Sequence, residues 1–328
     1  MRLTTRLAAA LALGALALGG CSGGGQAAPS AGASAPASQG QGSGSTFAVI
    51  THGAPGDAFW DVVKNGAEAA GRRYGDTVTY QGDGDPARQA QLIDQAVSQK
   101  TGGLVVSMAN PDALRESIGK AVAAGIPVVT INSGGDRSKE FGAVTHVGQS
   151  EEVAGRGSGE KLKAEGVTKL LCVIHEAGNV GLDQRCNGAT ATLGGTVERL
   201  QVDVSNLADA TSKIKARLQS DTSLNGVLTL NPAVAVAARD AIADGGSTAK
   251  LATFDLSADV VDAIEAGEIL FAVDQQQYLQ GWLPITFLHL YRSNLNTVGG
   301  GLPVNTGPGF VTKENAAQVA KLAEAGTR

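Results

Sequence analysis

Seven polar residues stand at or just past the ends of short apolar runs: Thr51, Ser107, Asn132, His175, Asn231, Asp255 and Gln275. Hydroxyl, amide, imidazole and carboxylate groups placed in this way donate and accept hydrogen bonds, the chemistry of recognition. A second group, Asp57, Phe59 and Trp60, opens an amphipathic run after the glycine-flanked loop Gly53 to Gly56. Adjacent residues on a helix project about 100° apart, so one ring can pack inward while the other faces a neighbouring strand end. The chain has only two tryptophans, and one of them at a helix mouth is a stacking platform for an apolar ligand face. Carboxylates and amides meet hydroxyls that both donate and accept, and an aromatic ring covers a C–H face. Together these residues describe a site for a small polyhydroxylated ligand.

Such residues need a scaffold that brings strand ends together. From residue 46 onward, β-branched runs alternate with longer amphipathic ones, which predicts a mostly parallel sheet covered by helices. Strand-like runs occupy 47–51, 77–81, 104–108, 127–131, 144–147, 170–174, 197–203, 227–230, 251–254 and 270–273. Helical runs fall at 58–73, 86–99, 111–124, 151–164, 207–220, 233–243 and 258–266, with Pro86 and Pro111 placed where a helix tolerates proline. Two α/β halves of five strands each are expected, and in open α/β sheets the carboxyl edge of the strands is where ligands bind. A terminal helix, capped by Thr312 and running to Ala325, is placed on the second half.

Residues 1–20 carry Arg2 and Arg6, an apolar stretch from Leu7 to Leu18 and a small pair, Gly19 and Gly20. This reads as an export signal, too short to span a bilayer stably. Leu18, Gly19, Gly20 and Cys21 resemble the bacterial lipobox, which implies cleavage before Cys21 and lipid on it. Residues 22–45 are drawn only from Gly, Ser, Ala, Pro and Gln, a flexible tether of about 27 Å r.m.s. span. The expected location is extracytoplasmic, at the outer face of the cytoplasmic membrane. With Cys21 lipidated, Cys172 and Cys186 remain as a pair in a compartment where disulfides persist, and a bridge between them is expected.

From Thr46 to Pro308 the chain resembles the sugar-binding proteins of bacterial ABC importers, in the branch of ribose-, galactose- and inositol-type binders. The motifs are GDAFW opening the first helix, GLVVSMANPDAL, AAGIPVVTINS, DQRCNG, TFD and AVDQQ. The resemblance implies a type I periplasmic binding protein fold: two Rossmann-like lobes, residues 46–148 with 276–306 and residues 149–275 with 307–328, joined by three hinge crossings. It implies that Asp57 accepts ligand hydroxyls, that Phe59 and Trp60 supply aromatic surface, and that Asn132 and Asp255 are paired acceptors. Asn231 and Gln275 match amide positions and Arg185 a donor from the second lobe; Thr51 and His52 join them at the first strand end. Ser133 stands where ribose binders carry arginine, and 203–207 offers no aromatic, which leaves monosaccharide, polyol and cyclitol as ligand classes. The expected partners are an ABC permease, or alternatively a sensory membrane receptor for a sugar or furanosyl signal, with the protein acting as a monomer.

Several classes are excluded. The formal charge is −5, and becomes −7 once residues 1–20, with two arginines and no acid, are removed, so no nucleic-acid face is expected. There is no Gly-x-Ser-x-Gly elbow, and the run GRGSGE from Gly155 lacks the lysine of a phosphate loop. No enzyme activity is expected, and neither a cofactor nor a metal: two cysteines with His175 as the nearby imidazole are too few ligands.

Overall fold

The structure, a computed structural model, describes residues 44–54 and 56–328. The expected signal segment, the lipidation site Cys21 and all but the end of the tether lie outside the described residues.

The first lobe is built from β1 (Thr46–Thr51), α1 (Ala58–Tyr74), β2 (Thr77–Gly82), α2 (Pro86–Ser98), β3 (Gly103–Ser107), α3 (Pro111–Ala123), β4 (Val128–Ile131), α4 (Gly135–Ser138) and β5 (Thr145–Gly148). The chain then crosses at Gln149 and Ser150 into α5 (Glu151–Ala164), β6 (Lys169–Ile174), α6 (Val180–Leu193), β7 (Thr196–Gln201), α7 (Leu207–Ser220), β8 (Gly226–Thr229), α8 (Pro232–Gly245), β9 (Lys250–Phe254), α9 (Ala258–Ala266) and β10 (Phe271–Asp274). It returns through Gln275 and Gln276 to α10 (Gln277–Asn294) and β11 (Val304–Asn305), then crosses again to β12 (Gly309–Thr312) and α11 (Ala316–Glu324).

The two sheets repeat one order, β11-β5-β4-β3-β1-β2 and β12-β10-β9-β8-β6-β7. All pairings are parallel except that of β12 with β10. The central strands are buried on both faces and read as continuous apolar runs, as a helix-covered parallel sheet requires. Each sheet separates two apolar clusters, one beneath the helices of each face. The helices start where side chains satisfy their first amides. Asp85 Oδ1 accepts from Ala87 and Arg88 ahead of Pro86, and Asn231 Oδ1 accepts from Ala233 and Val234 beside Pro232.

The helix that follows each of the first two crossings packs on the first helix of the lobe it enters, α5 on α6 and α10 on α1. Glycines make both contacts possible. A Cβ at Gly155 would overlap the Arg185 carbonyl, and one at Gly66 the Tyr278 carbonyl. The GRGSGE run is thereby explained: its Gly155, Ser158 and Gly159 lie on the buried face of α5, while Arg156 and Glu160 are exposed. Cys172 on β6 and Cys186 on α6 are bridged, with Cα atoms 6.1 Å apart.

Three expectations need correction. Each half has six strands, because β11 and β12 extend the sheets beyond the fifth. Helices α6 and α10 fill stretches to which no helix was assigned. Thr312 caps no helix; its segment pairs antiparallel with β10, and α11 begins after Asn315 and packs on α9.

Candidate functional site

The carboxyl ends of both sheets face one another across a cleft that holds a cavity of about 280 Å3. At the first-lobe wall, Asp57 caps α1 through Oδ1, which accepts from the Phe59 amide at 3.0 Å, leaving Oδ2 uncommitted by the cap. Burial pushes the Asp57 carboxyl above its ordinary range. Phe59 and Trp60 meet edge to face at 4.9 Å, and His52 meets the other side of the indole at 4.7 Å. Gly53 leaves room for the indole, since a Cβ there would overlap it. Both aromatic rings belong to the first-lobe core and line the cavity at once.

Two partners hold the His52 ring. Ser107 Oγ accepts from the His52 amide at 2.9 Å and lies 2.7 Å from Nδ1. On the other side of the ring, Nε2 lies 3.8 Å from Glu176 Oε2 on the opposite lobe. Burial lowers the His52 pKa and pushes that of His175 down to about 3, so both rings are neutral at physiological pH. His175 Nδ1 is buried without a hydrogen-bond partner in the cavity wall.

Asn132 and Asp255 occupy equivalent places, directly after β4 and β9, and both have left-handed backbones, with φ of 61° and 69°. Each amide is held by the next strand: Asn132 donates to the Val147 carbonyl and Asp255 to the Val273 carbonyl. Asn and Asp tolerate this conformation better than other side chains, and its recurrence in both lobes at the cavity is local strain kept at a site. Gln275, at the second crossing, joins the two. Its Oε1 accepts from Asn132 Nδ2 at 3.1 Å and its Nε2 donates to Asp255 Oδ1 at 2.6 Å.

On the second lobe, Asn231 Oδ1 is committed to capping α8, which leaves its amide nitrogen to donate. Arg185, on α6, is buried. Its Nε and Nη2 donate to Glu151 at 2.6 and 3.1 Å, its Nη1 lies 3.8 Å from Asp255 Oδ2, and the guanidinium sits 4.5 Å over the Phe254 ring. Burial works against its charge, but Glu151 and Asp255 outweigh that and hold its pKa high. Asp255 is pushed up to about 7, chiefly by burial, with Arg185 and Gln275 pulling the other way. The guanidinium lowers Asp255 only partly because Glu151 already holds two of its donor groups.

The lobes touch across the mouth. Val180 donates to the Ala109 carbonyl at 3.1 Å, and Ser133 Oγ lies within reach of both Asn132 Oδ1 and Asn179 Oδ1.

The cavity thus brings together His52, Asp57, Phe59, Trp60, Asn132, Ser133, His175, Arg185, Asn231, Asp255 and Gln275. Thr51 and Ser107 do not reach it, contrary to expectation. Thr51 Oγ1 bonds the Tyr80 hydroxyl at 2.9 Å inside the first lobe, and Ser107 stands behind His52. Both side chains turn inward on the last residue of their strands, and after β1 it is His52 that turns toward the cleft. Glu176, Asn179 and Asp203 also line the cavity, and Glu151 backs Arg185. Glu176 and Asp203 lie just past β6 and β7, so the strand-end rule covers them too. Asn179 has an N-cap signal. Glu151 has none, because its partner lies 34 residues away. Among the described residues no group of three His, Cys, Asp or Glu could hold a metal ion, and no helix is long and apolar enough to cross a membrane.

Comparison with known proteins gives the following. A family model described as periplasmic binding protein domain matches residues 47–293. A carbohydrate transporter structure from Acidothermus cellulolyticus, solved in complex with myo-inositol, is 44% identical with a TM-score of 0.85, covering 87% of this chain and all of that one. The xylose/arabinose-binding protein of Sulfolobus acidocaldarius is 24% identical over 251 residues, 70% of this chain and 61% of its own length. The ribose import binding protein of Bacillus subtilis is 24% identical over 231 residues, 69% of this chain and 74% of its own.

Proposed function

Since the chain belongs to the periplasmic binding protein family, we propose that it captures one small, polyhydroxylated ligand between its lobes and delivers it to an ABC permease. One observation carries this reading: hydrogen-bonding side chains from both lobes and the hinge, together with an aromatic wall, converge on a single cavity in the cleft. Its 280 Å3 lies at the lower edge of the about 300–1,000 Å3 of ligand pockets, which suits a monosaccharide, polyol or cyclitol rather than an oligosaccharide. Myo-inositol is the first candidate, because the 44% identical structure holds it.

In this reading Asp57, Asn132 and Asp255 accept ligand hydroxyls, while Asn231 and the Nη1 edge of Arg185, which Glu151 does not hold, donate. Neutral His52 offers Nε2, His175 offers its unpartnered Nδ1, and Trp60 covers a C–H face. Ligand docks on one lobe and closure adds the contacts of the other, so that ligand selects the closed form by touching both lobes. The body, taken as a monomer, is held at the outer face of the cytoplasmic membrane by lipid on Cys21 and presents its closed form to the permease.

A thermal-shift panel of cyclitols, pentoses, hexoses and linear polyols tests the reading. A ligand at a hundred times its dissociation constant stabilises by about 2.7 kcal/mol. At least one neutral polyol is expected to raise the melting temperature, and a panel without any shift contradicts the proposal.

A further inference from the structure

Arg185 is the one lysine or arginine among the described residues that line the cavity, and it is already engaged. Both oxygens of Glu151 hold its Nε and Nη2, and Gln149 at the first crossing fixes Glu151 Oε2 by a 2.9 Å donation. The two side chains of the pair are 4% and 2% exposed. Parallel N–H donors form the fork with which arginine recognises carboxylate or phosphate, and here a protein carboxylate fills that fork. The remaining edge, Nη1, abuts Leu230 O and Asp255. The other charged groups of the lining, Asp57, Glu176, Asp203 and Asp255, are carboxyls.

We propose that Glu151, which does not line the cavity, is a specificity-determining residue: by occupying the Arg185 fork it restricts the site to uncharged polyhydroxylated ligands and bars uronates, aldonates and phosphorylated polyols. An acidic ligand finds the guanidinium fork already filled and faces carboxylates across the cleft, where like charges repel. The inference rests on the ligand-binding reading above and deepens it.

The surroundings of the triad set its pH behaviour. Arg185 is faced by Glu151 from α5, by Asp255 from the end of β9, by His175 and Glu176 from the loop after β6 and by His52 from the first lobe; Asp274 of β10 adds a carboxylate near Asp255. Ligand hydroxyls donate to Asp255 best when it is ionised, so affinity for a neutral polyol rises as pH passes upward through about 7. Glu151→Gln removes a negative charge and releases the guanidinium toward Asp255. Both effects lower the Asp255 midpoint and move that rise to lower pH.

The experiment is calorimetric titration of the full protein with matched pairs, myo-inositol against myo-inositol monophosphate and galactose against galacturonate, from about pH 5 to about pH 9 to bracket the Asp255 midpoint. The wild type is expected to favour a neutral member by about a hundredfold or more. Glu151→Gln narrows that ratio by about tenfold or more and shifts the pH profile downward, while Glu151→Asp, which keeps the charge, retains the wild-type ratio. A folded Glu151→Gln protein with the wild-type ratio and pH profile overturns the inference. So does a wild type that binds an acidic member as tightly as its neutral partner, a result that needs no variant if Glu151→Gln fails to fold. Neutral binding with an unmoved ratio defeats this inference alone, whereas a wild type that binds no member of either pair and no other polyol of the thermal-shift panel defeats the ligand-binding reading as well.

Discussion

Trp60 does two jobs: it packs in the first-lobe core against Phe59 and His52, and it forms the aromatic wall of the cavity. Trp60→Ala is therefore expected to weaken binding of a neutral polyol by about 1–3 kcal/mol through lost area and stacking, measured by calorimetry. Asp255 leads to a second expectation. Its folded pKa of about 7 stands above the ordinary carboxylate value, so the folded protein binds its proton more tightly than the unfolded chain does. Its contribution to stability is complete below about pH 4 and is lost as pH rises through about 7. Ligand-free melting temperatures measured across that window should fall less steeply for Asp255→Asn than for the wild type; parallel curves assign the slope to other groups. Asn132, Asn231, Asp255 and Gln275 were legible as polar residues at strand ends. Thr51 and Ser107 obey the same rule yet point inward, because the rule locates a residue along a strand and not the side of the chain on which its side chain leaves.

Helix α5 sets the Arg185–Glu151 pair, and Gly155 sets the distance between α5 and α6. Gly155→Ala brings a methyl against the Arg185 carbonyl, so the helices must separate. The expected cost is about 1–3 kcal/mol of stability, read by chemical denaturation, together with weaker ligand binding as Arg185 moves. The Cys172–Cys186 bridge ties β6 to the same helix one residue from Arg185. Replacing both cysteines by alanine should lower stability by about 3 kcal/mol, read by chemical denaturation. The buried parallel strands were readable from their β-branched runs. Helix α6 was not, because its apolar residues form no single stripe, and neither was α10, which carries Gly281 and Pro284 in its interior. Strands β11 and β12 have two and four residues and acquire their identity only by pairing with β5 and β10 far away in sequence.

For the molecule as a whole, three chain crossings join the lobes, and Gln275 ties the strand ends of both to one point. The architecture was legible because alternating β and α periods leave few topologies open. The charge logic of the cleft was not, since it depends on Glu151 and Arg185 meeting through helix packing. The proposed lipid anchor belongs to this scale as well: if Cys21 carries lipid, Cys21→Ala should move the protein from the membrane fraction to the soluble extracytoplasmic fraction, as read by fractionation of cells. Calorimetric titration of the wild type and of Asp255→Ala with the polyol that gives the largest thermal shift tests the central claim most directly. Saturable binding of one ligand per chain is expected, lost or greatly weakened in the variant. Binding that proceeds with equal affinity without the Asp255 carboxylate would contradict it.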